Sequence, residues 1–199
     1  VRALAAAKEA GFRVSGEVSP HHLLLTDEDV RALDTNFKMH PPLAGASDRD
    51  ALVDGLRRGA IDCIATDHAP HARDEKEVPF EQAPMGTTGL ETSFAALHTE
   101  LVLSGRLELD VLVERMTAAA GLFGLDTPSI AVGEPANATL VDLGAEWVAG
   151  EDGWESRSEC CCFAGRRLRG RVRMTLCEGA VAYRERAGVL ADLRPLALR

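Results

Sequence analysis

Several features that would tie a chain to a polymer or a membrane are missing from these 199 residues. Basic residues are outnumbered, 22 Lys and Arg against 31 Asp and Glu, for a formal charge of -9. That balance gives no electrostatic footprint for nucleic acid or an anionic membrane surface, which would call for a clustered basic face. A small-molecule or protein partner is the default instead. No apolar run approaches the ~20 residues that span a bilayer. The stretch from Val1 to Gly11 lacks a charged region followed by an apolar one, so it does not read as a signal peptide. The chain reads as a soluble cytoplasmic protein. Its five cysteines are odd in number and three are adjacent, Cys160, Cys161 and Cys162. That excludes an obvious disulfide framework, and reduced thiols are expected. Tetrahedral metal sites draw on separated ligand pairs, so the triple Cys reads as a loop or strand with small side chains. An initiating Met is also absent: VRALAAAKEAG begins in mid-helix with nothing to cap it, and the expectation is a fragment.

What is present is ordinary globular composition, 46% hydrophobic and 27% charged, enough for one domain or two small ones. Residues 13–18 alternate and read as a strand ending at Ser19-Pro20. Thr26 with Asp29, and Ser47 with Asp50, resemble capping boxes that open helices, the second running to Arg58 and stopped by Gly59. The apolar run IDCIAT, residues 61–66, reads as a buried strand of a parallel sheet. Residues 67–89 form a long polar loop rich in His, Pro and Gly, of the kind that is usually functional. Helical spacing returns over 90–104 and 109–122. Beyond residue 125 the sequence changes to short β-like pieces, ATLVDL, VRMTLCEG and AVAYR. Two units are therefore expected, 1–125 and 126–199, the second a small β subdomain with a C-terminal tail. The Arg-rich piece GRRLRGRVR inside it reads as a solvated strand edge. The fold class is α/β, with polar residues placed just past strand ends, where sites of such folds collect.

The chemistry concentrates at Ala65-Thr66-Asp67-His68-Ala69-Pro70-His71. This places a carboxylate at the end of a buried strand and imidazoles just beyond it. A carboxylate there is costly unless it is paired, hydrogen-bonded or metal-bound. Alone, the Asp could simply cap a turn and the His residues sit in a polar loop. The full string IDCIATDHAPHARDEK, however, resembles the motif of type I bacterial dihydroorotases, members of the amidohydrolase superfamily. Other strings match in family order: GEVSPHHLLLTDED at 16–29, KMHPPL at 38–43 and APMGTTGLETSF at 83–94. So do the elements from Ala131 to Leu143, Phe163-Ala164-Gly165 and the closing strand pair.

This resemblance implies the C-terminal part of a metal-dependent amidohydrolase TIM barrel plus a small β-sandwich subdomain. It implies zinc-dependent interconversion of dihydroorotate and N-carbamoyl-aspartate in pyrimidine biosynthesis. Asp67 would be a metal ligand and the catalytic acid/base, taking a proton from the attacking water and delivering it to the departing ring nitrogen. His71 would bind the substrate carboxylate. The backbone at Met85 and Gly86 would contact the pyrimidine ring, Gly86 because a missing side chain permits close approach. Two positions depart from the pattern. His40 replaces a substrate-contacting Asn, and Ala44 replaces an Arg; His40 could still donate a hydrogen bond in the right tautomer. The triple Cys replaces a usual Asn and Pro, in a region expected to lie far from the chemistry. His21 and His22 are expected to be structural. Glu17 matches a position that holds an additional zinc in an animal relative.

The other Zn2+ ligands of the family lie upstream of Val1, leaving Asp67 as the one ligand supplied here. Catalytic zinc generally takes three protein ligands plus water. The 199 residues alone are therefore expected neither to hold zinc stoichiometrically nor to turn over substrate. The small-molecule substrate is the expected partner, with a homo-oligomer or association with aspartate carbamoyltransferase left open. Two other readings stand beside this one. One is another cyclic amidohydrolase, a dihydropyrimidinase or allantoinase; the other is a non-catalytic dihydroorotase-like assembly partner.

Overall fold

The structure is a computed structural model and describes residues 1–127 and 129–185. The expected C-terminal tail lies outside the described residues. In chain order the regular elements are α1 (Arg2–Glu9), β1 (Glu17–Val18), α2 (Pro20–Leu24), α3 (Ala46–Arg57) and β2 (Cys63–Ile64). There follow α4 (Arg73–Lys76), α5 (Ser93–Leu97), α6 (Leu109–Thr117) and α7 (Ala119–Leu122), then β3 (Ala138–Val148), β4 (Arg167–Cys177) and β5 (Ala180–Arg184). This is a mixed α/β arrangement. The described residues hold a two-stranded parallel sheet and a three-stranded antiparallel one, and neither is a closed barrel or a sandwich.

Strand β1 pairs in parallel with β2, Glu17 opposite Cys63 and Val18 opposite Ile64. Both strands are shorter than the sequence alternation suggests, but two backbone bonds extend the pairing, Asp62 N–H to Gly16 O at 2.9 Å and Ala65 N–H to Val18 O at 3.1 Å. The Asp62 carboxylate locks the start of the pair. It accepts from Lys8 Nζ on α1 at 2.6 Å and from Gly16 N–H at 2.8 Å. Helices α3 and α6 cover this sheet with Val53, Leu56 and Leu112, which meet Val18, Ile61 and Ile64 in one buried cluster. The helical spacing seen in the sequence is that of this buried face.

The second half is docked onto the first through a further buried cluster. Phe163 and Leu168 pack with Ala95 and Ala96 of α5 and with Leu25 and Met39. The α5 helix continues as a π-helical turn, His98–Val102, where His98 Nδ1 donates to Arg169 O at 3.0 Å. Arg169 N–H in turn donates to Thr99 Oγ1 at 2.8 Å. The sheet runs β3-β4-β5, so the Arg-rich strand is central and not the edge expected from its charge. Its arginines are matched by carboxylates on neighbouring segments: Arg169 pairs with Glu146, Arg171 with Asp152 at 2.7 Å, and Arg173 with Asp142 at 2.9 Å. Local ion pairing, not an edge position, makes the charged strand tolerable there. Among the described residues no helix is long and apolar enough to cross a membrane.

Leu56 is fully buried under the parallel sheet. Leu56→Ala is expected to cost about 2–5 kcal/mol in urea unfolding, a transfer loss plus a cavity. The same change at exposed Leu103 should stay within ~0.5 kcal/mol.

Candidate active site

Because β1 and β2 are parallel, the chain leaves both strands at the same edge. One exit carries Ser19-Pro20-His21-His22, the other Thr66-Asp67-His68. Pro20 is the first residue of α2, a position where its missing N–H costs nothing, and Ser19 is the N-cap. Asp67 sits at φ 50°, the left-handed region that few non-glycine residues occupy. It is held there from both sides. Ala65 is bonded to β1, and Ala69 N–H donates to Thr87 O at 2.9 Å within an isolated parallel bridge between His68 and Thr87. The Asp67 side chain is 55% exposed and lies 3.8 Å from His21 Nε2.

The two adjacent histidines divide their work. His22 Nε2–H donates to Pro41 O at 2.9 Å, so its Nδ1 accepts from Ser19 Oγ–H at 2.6 Å. This fixes the loop that carries His40, which precedes a cis Pro41 and is itself exposed. His21 is 1% exposed, and its Nε2 has no hydrogen-bond partner among the described residues. Burial, reinforced by the neighbouring His22, pushes its pKa down to about 3, so the imidazole is neutral at physiological pH.

The next residues draw the long loop back over the strand end. His68 Nδ1 accepts from Gly89 N–H at 3.2 Å and, more weakly, from Leu90 N–H at 3.4 Å. His71 Nε2–H donates to Met85 O at 3.0 Å, while its Nδ1 faces Glu75 at 3.6 Å. Gly86 N–H donates to Lys38 O at 2.8 Å, two residues before His40. Gly86 has φ 142°, and a Cβ there would lie 2.8 Å from both Ala69 Cβ and His71 Nε2. The structure thus brings His71, Met85 and Gly86 into direct contact and ties the His40 loop to them. Buried Lys76 fastens the same loops, its Nζ donating to Thr35 O at 2.8 Å and Pro84 O at 3.0 Å. Burial pulls its pKa below the usual lysine value.

One expectation is overturned. The triple-Cys segment lies beneath this loop and not far from it. Cys160 O accepts from Thr88 N–H, and Cys162 N–H donates to Thr87 Oγ1, each at 2.9 Å. Ser158 Oγ–H donates to His71 O at 2.7 Å. The sequence signal was indirect: small side chains at 160–162 allow the close backbone approach that these bonds need. All three Cys are buried and free. The neighbouring Cys162 thiol, with the Phe163 N–H, lowers the Cys161 pKa, while Cys161 together with burial raises that of Cys162.

No family model matches the chain. Among curated proteins, the dihydroorotases of Bacillus pumilus and Bacillus subtilis are 46% and 45% identical to it over 186 residues, and that of Enterococcus faecalis is 42% identical over 188. By sequence, the chain is similar to these dihydroorotases. Those alignments cover 93–94% of this chain and 44% of each dihydroorotase, so the chain spans less than half the length of the curated relatives it matches. Among solved structures, the L-hydantoinase (dihydropyrimidinase) from Arthrobacter aurescens superposes with a TM-score of 0.85 at 29% identity, over 92% of this chain and 42% of that one. Dihydropyrimidinase from Brevibacillus agri gives 0.82 at 27%, over 94% and 43%.

The dihydroorotase-like strings at 65–71 and 83–89 are the segments that the Gly86 contact joins. Gly86→Ala should therefore destabilise the protein by about 1–3 kcal/mol, from backbone strain and the two 2.8 Å clashes. Thermal unfolding would measure it, and an unchanged midpoint would show that the loop does not close on His71.

Proposed function

We propose that these residues form the C-terminal part of a dihydroorotase, supplying the strand-end acid/base and one wall of the substrate pocket. The carrying observation is Asp67. Its carboxylate stands at the shared exit of two parallel strands, on a strained backbone, within a sequence 46% identical to a dihydroorotase. In this reading residues 1–125 are the last part of the amidohydrolase barrel, with β1 and β2 two of its strands, and residues 126–199 belong to the β-sandwich subdomain. A cytoplasmic location belongs to the same proposal, as does homo-oligomerisation or association with aspartate carbamoyltransferase.

A Zn2+ ion would be held by Asp67 together with groups outside the 199 residues. Among the described residues no three His, Cys, Asp or Glu side chains converge to hold a metal. Asp67 fits as one edge of such a site: its carboxylate is 55% exposed and accepts no side-chain hydrogen bond in this structure among the described residues. When bound, zinc lowers the pKa of a water toward ~7 and polarises the ring carbonyl.

The chain's own residues do the rest. Asp67 accepts the proton of the attacking water and returns it to the ring nitrogen as the C–N bond breaks; closure of N-carbamoyl-aspartate runs the same transfers backwards. His71 meets the substrate carboxylate by exchanging the Met85 carbonyl for a substrate oxygen at its Nε2–H. Gly86, whose close approach to Ala69 and His71 leaves no room for a side chain, would present its backbone to the pyrimidine ring. His40, exposed on the Pro41 loop, would meet the substrate where the family pattern has Asn.

The test uses a chain of the relatives' full length, hereafter the full-length protein. Zinc content and dihydroorotate hydrolysis should both be present, and Asp67→Asn should lower kcat by about 10²–10⁴-fold. An Asp67→Asn variant as active as the parent would contradict the role of Asp67. The hydantoinase-like superposition favours one alternative, and faster turnover of hydantoin than of dihydroorotate would establish it.

A further inference from the structure

We infer that His21 is a positioning residue for the Asp67 carboxylate, donating its Nε2–H to Asp67 Oδ2 in the working enzyme. The two atoms lie 3.8 Å apart, and each lacks a side-chain hydrogen-bond partner among the described residues. A buried polar nitrogen left without a partner costs on the order of 1–3 kcal/mol, so the site favours a small closing movement. The gap to a normal N–H···O bond is less than about 1 Å.

Which side moves is decided by the surroundings. His21 is enclosed, and its backbone carbonyl accepts from Leu25 N–H at 2.9 Å. Its neighbour His22 has both ring nitrogens occupied, and the two rings stand 4.5 Å apart. The Asp67 backbone is pinned by the bonds of Ala65 and Ala69. The half-exposed carboxylate is therefore the mobile partner, and rotation about its own side-chain bonds closes the contact. A carboxylate with one oxygen tied to His21 leaves its other oxygen facing outward in one orientation. That is the preorganisation that a group serving both as ligand and as proton carrier requires. No proton leaves His21 in this arrangement.

The hydrogen bond follows from the geometry of this chain alone; its effect on turnover rests on the dihydroorotase reading. Two measurements keep these apart. In metal-free protein, long-range 1H–15N NMR should show His21 as the Nε2–H tautomer, with a proton whose solvent exchange speeds at least tenfold in Asp67→Ala. A His21 that carries its proton on Nδ1 would overturn the inference, whatever the substrate. In the full-length protein, His21→Ala should lower kcat by about 10–100-fold, with KM within about twofold, since misplacing a reacting group by 1 Å costs that much. His21→Gln places an amide N–H where the imidazole Nε2–H stands, and it should recover most of the loss. Turnover unchanged in His21→Ala, or a folded, zinc-loaded His21→Gln as slow as His21→Ala, would contradict the positioning role. A parent inactive on dihydroorotate would count against the dihydroorotase reading, and the tautomer would then decide the hydrogen bond by itself.

Discussion

Two short strands that run parallel must release the chain at the same end, and everything chemical in this protein depends on that. The pairing of Glu17–Val18 with Cys63–Ile64 sets Pro20-His21-His22 and Asp67-His68 side by side. An antiparallel pairing of the same residues would send them to opposite edges. The pair is held from below by apolar burial and at its start by the Asp62 carboxylate, which bridges Lys8 and Gly16. The strained φ of Asp67 is affordable because the hydrogen bonds of Ala65 and Ala69 fix the backbone on either side of it.

The second constraint is the staple beneath the long loop. A loop from Asp67 to Gly89 with few elements of its own would lose its shape to conformational entropy. Here it is tied down at several separate points: to His68 through Gly89, to His71 through Met85, to Lys38 through Gly86, and to Thr35 and Pro84 through Lys76. Residues 158–163 reach across from the second half of the chain and bond to His71, Thr87 and Thr88. The β-rich half thus holds the long loop mechanically, through His71, Thr87 and Thr88.

Much of this was legible in the residues. The buried run at 61–66, the helices over 46–57 and 109–117 and the three later strands follow from apolar periodicity and turn residues. The strand-end position of Asp67 follows from the same reading. Other features were not legible, for physical reasons. Strand order is a long-range property, so the charge of residues 165–173 suggested an edge, whereas pairing with Glu146, Asp142 and Asp152 allows a central strand. The position of Cys160–Cys162 under the site depends on contacts some seventy residues apart in sequence. Nothing local distinguishes His21 from His22. Only the fold shows that one ring is satisfied and the other turned toward Asp67.

On the proposed reading, Asp67 offers one edge of a metal site whose other ligands lie outside these residues. Calorimetric titration of Zn2+ into the 199-residue chain and into the full-length protein tests it most directly. Stoichiometric binding is expected of the full-length protein, weakened in Asp67→Ala, and no stoichiometric binding of the 199 residues. A tight one-to-one zinc site in the 199-residue chain would contradict it.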